Sequence, residues 1–452
     1  MDIIVAGCGK IGSSIISNLI KEGHNITAID NDPEQLSAVT NIFDIMGICG
    51  NGADVDILNE AGIDKSRLFV AVTGSDELNM LACYIARKLG ARHTIARIRN
   101  PEYNDESLGF IKNHLNLSIS INPEALTARE LFNILKFPSA IKVENFGRRS
   151  FEMVEILLKS NSHLDSIQIS ELNNKYNSKV LVCAVEREGK TYIPDGNFVL
   201  QSGDRLGVVA KPEEMQRFFK PLGIFKKQAK SVMILGGSRI AYYLAKLLIE
   251  DGCSVKIIEK DREVCHNLCD VLPKADIING DGTASELLYE EGISSVDAFV
   301  SLTGIDETNV LMSLFASSIG VPKVITKINR PELAKIAGNL GLESIISPQK
   351  ITSNIFVRYA RAVENSLGSK VETLYKIMND NAEVLEFNVS EDFKQVSIPL
   401  KELSLKSGII IAGIIRGRKT IIPNGDDVIL DGDKVIVCST DHRLRDLSDI
   451  IK

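Results

Sequence analysis

Two glycine-spaced stretches carry the residue types that can grip a phosphate. Gly7-Cys8-Gly9-Lys10-Ile11-Gly12 follows the apolar run Ile3-Ile4-Val5 and leads into a helical spacing at Ile15, Ile16, Leu19 and Ile20, with Gly23 placed to stop it. Strand, glycine turn, helix is the context in which such a stretch binds a dinucleotide. Gly7 permits the tight turn, Gly9 lets backbone approach a pyrophosphate, and Gly12 lets helix and strand pack closely. The free N–H groups at the helix start then face the phosphates. A second strand ends at Asp30, where a carboxylate can accept bonds from ribose hydroxyls. Asn31 and Asp32 add no positive charge there, so NAD is preferred over NADP. Asn51 follows the third strand, Thr73 and Gly74 the fourth, and Arg97 ends the fifth. Thr73 and Asn51 suit adenine and ribose, and Arg97 suits a phosphate. The plainer alternatives are a local carboxylate partner for Arg97 and a helix cap for Thr73.

The same kit recurs. Residues 3–15 align with 232–244 at an offset of 229, and Asp30 falls on Glu259. Gly50-Asn51-Gly52 meets Gly280-Asp281-Gly282, the T-x-x-D-E-x-N segment at Thr73 meets that at Thr303, and Arg97 meets Lys327, all at an offset of 230. The second-copy candidates are therefore Gly236, Gly237, Ser238, Arg239, Ile240, Glu259, Asp281 and Thr303. Gly9 has become Ser238 and Gly12 has become Ala241, so a side chain crowds the phosphate approach. Lys260 and Arg262 put positive charge beside Glu259. This site is expected to bind a nucleotide more weakly, or to take a different one such as ATP or ADP.

Positioning these residues calls for an α/β fold with two Rossmann-like parallel sheets, each followed by a small β-rich domain. In the first copy the pattern predicts strands near 2–6, 25–29, 43–48, 68–72, 94–98 and 117–121. Helices are expected near 10–22, 33–41, 53–61, 75–89, 101–113 and 124–136. The smaller unit has short β-branched runs and turns, and it repeats too. Ile193-Pro194-Asp195-Gly196 matches Ile422-Pro423-Asn424-Gly425, and Ser202-Gly203-Asp204 matches Asp431-Gly432-Asp433. Lys226, Lys227, Gln228 and Lys230 mark an exposed linker between the halves. Helices near 124–136 and 350–363 are candidate crossover segments. Their apolar faces (Leu131, Ile134, Leu135; Ile355, Phe356, Tyr359) fit internal core equally well.

Composition narrows the function. With 452 residues, 44% of them hydrophobic and 25% charged, the chain has room for several globular domains. Its net charge of −7, with no basic block, argues against a nucleic-acid binder. The longest apolar run, Ile409 to Ile415, falls far short of the roughly 18 residues of a membrane span. Met1 leads straight into the first strand, leaving no room for a signal peptide. The eight scattered cysteines suit reduced thiols, and Cys265 with Cys269 reads as helix packing rather than a zinc site. Tyr84-x-x-x-Lys88 imitates a short-chain dehydrogenase pair, but an equally placed Tyr242-x-x-x-Lys246 lies on the helix after the second glycine turn. The six histidines share no repeat position, no general base is evident, and His24 and His93 read as ordinary surface or turn residues. Two nucleotide pockets without catalytic groups read as a sensor rather than an enzyme; the rival is a soluble NAD-dependent dehydrogenase of unknown substrate.

Two Rossmann units, each followed by a β module with an I-P-x-G turn and a later G-D, resemble the tandem RCK domains that regulate K⁺ conductance. The resemblance is carried by the glycine turns with Asp30, the paired T-x-x-D-E-x-N segments, and Arg97–Glu102 against Lys327–Glu332. It implies four domains: 1–138 and 229–362 as NAD-binding RCK N-terminal domains, 140–222 and 368–452 as RCK C-terminal domains. It also implies binding of NAD(H) and of ATP/ADP, and assembly as a homo-oligomer in a tetrameric ring. The expected place is cytoplasmic, peripheral on the inner face of the plasma membrane, gating a separate membrane K⁺ channel subunit of the TrkH/TrkG type.

Overall fold

The computed structural model describes every residue except 104, 138–139, 147–150, 160–161, 224–227, 366–370, 390–392 and 442–443, and leaves aside the side chains of 105–108, 144–146, 365 and 371–374. Lys226, Lys227 and His442 thus lie outside the described residues.

The first copy runs β1 (Asp2–Ala6), α1 (Lys10–Lys21), β2 (Asn25–Asp30), α2 (Pro33–Thr40), β3 (Met46–Cys49), α3 (Val55–Glu60), β4 (Leu68–Ala71), α4 (Asp76–Leu89), β5 (His93–Arg97), α5 (Asp105–Leu115), β6 (Ile119–Ile121) and α6 (Pro123–Lys136). Its six strands pair parallel in the order 3-2-1-4-5-6. Helices cover both faces of such a sheet, which is why β4, and β1 after its exposed Asp2, are unbroken buried apolar runs. Helix α1 buries Gly12, Ile15, Ile16 and Leu19 on one stripe, and Gly23, at φ +82°, ends it. Helix α2 opens on Pro33, with the Asp32 carboxylate accepting from the Glu34 and Gln35 amides.

Helix α5 starts four residues later than the pattern predicts. The Asp76 carboxylate accepts from the Arg99 and Asn100 amides at 2.8 Å each, and Asn100 Oδ1 accepts from the Glu102 amide at 3.1 Å. The second copy makes the equivalent bonds from the Asn329 and Arg330 amides to Asp306, and there the helix begins at once, at Pro331, so these bonds anchor the turn without themselves delaying the helix.

A small module follows: β7 (Lys142–Phe146), β8 (Phe151–Leu157), α7 (Ile169–Lys175), β9 (Leu181–Arg187), β10 (Lys190–Tyr192), β11 (Arg205–Ala210) and α8 (Pro212–Phe219), an antiparallel sheet in the order 10-9-11-8-7. The second Rossmann copy comprises β12 (Ser231–Leu235), α9 (Arg239–Glu250), β13 (Ser254–Glu259), α10 (Arg262–Val271), β14 (Asp276–Asn279), α11 (Ser285–Glu290), β15 (Ala298–Ser301), α12 (Asp306–Ser318), β16 (Lys323–Lys327), α13 (Pro331–Asn339), β17 (Ser344–Ile346) and α14 (Pro348–Asn365). Its strand order, 14-13-12-15-16-17, repeats the first. The second module, β18 (Val371–Ile377), β19 (Ala382–Asn388), β20 (Ile409–Arg416), β21 (Lys419–Ile421) and β22 (Lys434–Ser439), has the matching order 18-19-22-20-21.

The repeated G-D of the modules has a structural purpose. Asp204, fully buried, takes a two-pronged bond from Arg187 at 2.7 Å on each oxygen, and Asp433 takes the same from Arg416 at 2.8 Å.

Packing units do not follow the order of the copies. One compact unit is Met1–Thr127 with Ser347–Glu364; the other is Ala128–Ile346 with Asn365–Lys452. Within the first unit α14 lies on the first Rossmann copy: Asn18 Nδ2 donates to Ser353 Oγ at 2.7 Å, and Arg361 Nε to Glu22 at 2.6 Å. Within the other, Lys136 near the end of α6 reaches Asp251 at 3.1 Å, just past α9. Asp251 is the repeat equivalent of Glu22, so each copy's last helix makes the same ion pair with the other copy's first helix. Leu131, Ile134, Leu135 and Phe356 on these helices are buried.

Candidate functional site

The candidates of the first copy meet at the carboxyl ends of β1, β2 and β4, where the strand order reverses. Gly7, at φ +108°, donates its amide to the Ile29 carbonyl at 2.8 Å. A Cβ there would stand 2.8 Å from the Val72 carbonyl carbon, and one on Gly12 would land on the Gly7 carbonyl oxygen. Gly7 is demanded by its backbone conformation, and Gly12 by the close approach of α1 to the Gly7 turn in this copy. Gly9 is not: a Cβ there would meet only the Gln35 side chain, at 3.4 Å. The start of α1 has no side-chain cap and no acidic residue in its first turn, so positive potential is left where Lys10, Ile11 and Gly12 begin the helix.

Asp30 Oδ2 accepts from the Cys8 amide at 2.5 Å and Oδ1 from the Asp32 amide at 2.9 Å. Each oxygen keeps a lone pair for a hydroxyl. The Cys8 side chain is buried, and burial, then the Asp30 charge, pushes its thiol up to about 12. It therefore stays protonated and contributes backbone rather than reactivity. Gly50 donates to the Asp30 carbonyl at 2.9 Å, which brings the Asn51 turn alongside. Asn51 is exposed, with Oδ1 accepting from the Ala53 amide at 3.0 Å.

Thr73 does not cap α4. Ser75 does, accepting from the Leu78 amide at 3.1 Å. The Thr73 hydroxyl instead donates to Asn79 Oδ1 at 2.7 Å, and the Thr73 amide reaches the same oxygen at 2.8 Å. Asn79, fully buried, donates onward to the Arg97 carbonyl at 2.9 Å. Arg97 is almost wholly buried, and its guanidinium donates to the Thr73 carbonyl beneath the exposed Gly74. Asn79 thus ties the loop after β4 to the end of β5. The repeated T-x-x-D-E-x-N segment is its signal, although its partners could not be read from spacing.

The second copy builds the same frame. Gly236, at φ +97°, donates to the Ile258 carbonyl at 2.8 Å. Glu259 accepts from the Gly237 amide at 2.6 Å and the Asp261 amide at 2.9 Å. Thr303 and Asn309 repeat the Thr73–Asn79 bonds, at 2.7 Å between hydroxyl and Oδ1. The helix start differs. Ser238 Oγ accepts from the Ala241 amide at 3.4 Å, occupying an N–H that is uncapped in the first copy. Ile240 is buried and Arg239 exposed. Asp281, exposed, is held below the usual carboxylate range by bonds from the Thr283 amide and hydroxyl, helped by Lys260.

Residues suggestive of catalysis are used otherwise. Lys88 lies over the Tyr84 ring, 5.5 Å from its centroid, as an i, i+4 pair on α4. His24 is no surface residue: it is buried, 3.4 Å from Glu364 of α14, and His93 Nδ1 lies 3.3 Å from the Tyr359 hydroxyl. Among the described residues no group of His, Cys, Asp and Glu is placed to hold a metal ion, and no helix is long and apolar enough to cross a membrane.

Fold and site together define a tandem pair of Rossmann cradles, each with its own antiparallel module. Residues 3–110 and 232–348 match the TrkA-N domain, and residues 153–223 and 384–452 match the TrkA-C domain. The chain belongs to the TrkA family. It is 32% identical to Trk system potassium uptake protein TrkA homolog 1 of Methanosarcina mazei, over 97% of each chain. It is also 32% identical to the TrkA homolog of Archaeoglobus fulgidus over all of both chains, and 31% identical to TrkA of Haemophilus influenzae over 98% and 96%. These relatives are named for potassium uptake and not for an enzymatic reaction. Its fold is similar to that of the GsuK channel bound to NAD (TM-score 0.64, 16% identity, 97% of this chain and 76% of that one). The GsuK RCK domain gives 0.64 at 15% identity, over 97% and 92%.

Proposed function

We propose that the chain is a cytoplasmic nucleotide-sensing regulator of a Trk-type potassium uptake system, peripheral on the inner face of the plasma membrane. It binds NAD(H) at the first cradle and ATP/ADP, or a dinucleotide more weakly, at the second. A ring of several copies, a tetramer in our reading, gates a separate membrane K⁺ subunit of the TrkH/TrkG type. Residues 1–138 and 229–362 act as sensing domains, with 140–222 and 368–452 as their modules. The observation that carries the proposal is Gly9: a glycine the protein does not itself require, beside an uncapped helix start and a carboxylate with spare lone pairs. The GsuK channel, of the same fold, has been solved with NAD and also with ADP.

Ring assembly has support in the repeat. Leu81 on α4 and Phe110 on α5 are exposed, and so are their equivalents Leu311 on α12 and Leu340 on α13. Large apolar side chains exposed at matched places in both copies are our candidates for the ring contact. A nucleotide moves the gate only through different affinities for two arrangements of that ring.

The test is equilibrium titration of the full chain with NADH and with ATP, beside Asp30→Ala and Glu259→Ala. Losing hydrogen bonds to a charged group weakens NADH at the first cradle by roughly tenfold or more. K⁺ flux through the partner then loses its NADH response. Unchanged NADH affinity in Asp30→Ala, or a chain that binds neither nucleotide, ends the proposal.

A further inference from the structure

The two modules share a core inside the second compact unit. Phe151, Met153, Cys183, Ala184 and Val209 of the first pack against Met378, Ala412, Ile436 and Cys438 of the other. Cys183 and Ala184, neighbours in sequence, both enter this core because β9 carries a bulge. Ala184 pairs with Gly207 and Val182 with Val208, leaving Cys183 as the extra residue. A bulge re-aims a side chain, and this one turns Cys183 toward the other module. The Cys183 thiol donates to the Gly207 carbonyl at 3.4 Å, and Cys438 lies in the same buried core, its thiol held well above the ordinary value by the neighbouring Cys183 thiol and by burial. Both cysteines are fully buried. The four other buried cysteines likewise direct their thiols at backbone carbonyls: Cys8 at Ile29, Cys83 at Ile95, Cys253 at Ala229 and Cys265 at Glu259.

The repeat supplies a comparison. The bulge recurs in β20, where Ile411 pairs with Val437 and Gly413 with Ile436, and its extra residue is Ala412. The equivalent of Cys438 in the first module is Val209. The duplicated core therefore has two related spots, Cys183 with Cys438 and Ala412 with Val209, and only the first can be bridged.

We propose that Cys183 and Cys438 form a disulfide under peroxide, stapling the two modules of one chain. One thiol is oxidised by hydrogen peroxide to a sulfenic acid with release of one water. The second thiol displaces the sulfenic oxygen as another water, forming the S–S bond. Two S–H bonds and the O–O bond break, and the peroxide is the species reduced. In the closed pair both thiols are shut away from solvent, so the reaction follows transient opening of the module interface.

The experiment treats the full chain with excess hydrogen peroxide, alkylates remaining thiols after unfolding, and maps peptides by mass. Cys49 and Cys269, which are exposed, report that oxidant was sufficient. The expected product is a Cys183–Cys438 linked peptide, cleaved by dithiothreitol and forming several-fold faster in sub-denaturing urea. It is absent from Cys183→Ala and Cys438→Val, which install residues the other copy already carries. Should Cys49 and Cys269 oxidise while Cys183 and Cys438 stay alkylatable, or become sulfinic acids without a link, the proposal is overturned.

Discussion

Gly9 and Ser238 occupy one position of a duplicated turn, and the difference between them is open to exchange. Gly9→Ser has room in the fold, since only the Gln35 side chain lies near. It should lower NADH affinity roughly tenfold by crowding the phosphate approach while leaving the melting temperature unchanged. Ser238→Gly should strengthen NADH binding at the second cradle by freeing the Ala241 amide; isothermal titration of both variants reads the pair. Asn79 acts differently. Asn79→Ala strands the Thr73 amide and the Arg97 carbonyl without their partner, a cost of about 2–3 kcal/mol visible in urea melts. The glycines, Asp30 and Glu259 were legible because their chemistry is local to a turn. Asn79 was not, because its bond to Arg97 joins residues 18 apart whose proximity exists only once β4 and β5 pair.

Strands and most helices were legible from apolar runs and 3.6-residue spacing. The start of α5 was not: the equivalent turn in the second copy makes the same bonds to Asp306 and leads straight into α13, so the two copies differ here in a way their shared pattern does not show. The exchange of α6 and α14 was open between crossover and internal core, since an apolar stripe does not state which sheet it covers. At the α14 contact the buried His24 faces Glu364, Glu22, Arg361 and the amino group of Met1. Burial holds its imidazole below the ordinary value, reinforced by the Met1 amino group and Arg361 and opposed by Glu364 and Glu22. The unfolded chain therefore takes the proton first as pH falls. Stability from the neutral ring is complete above about pH 6.5 and is lost below it, through the folded-state value. Thermal melts from pH 7.5 to 5.5 should show the wild type losing more than His24→Gln. Parallel curves would remove His24 from the account.

At the scale of the assembly, the repeated exposed residues make a direct prediction. Leu311→Asp places a charge where an apolar contact is expected, and light scattering after gel filtration should show the ring broken into smaller species. Circular dichroism should be unchanged, since Leu311 is 65% exposed. The duplication itself was legible; the shared core of the modules was not, because a β run gives no sign of whether its second face meets water or another sheet. One consequence follows from the helix exchange. Glu22 and Arg361 stand 339 residues apart, so at ordinary translation speed the ribosome needs roughly twenty to seventy seconds after making one to supply the other. Through that interval the nascent first sheet has no native cover along the end of α1. Products that stop short of Pro348 never receive it, which leaves them open to proteases and dependent on chaperones.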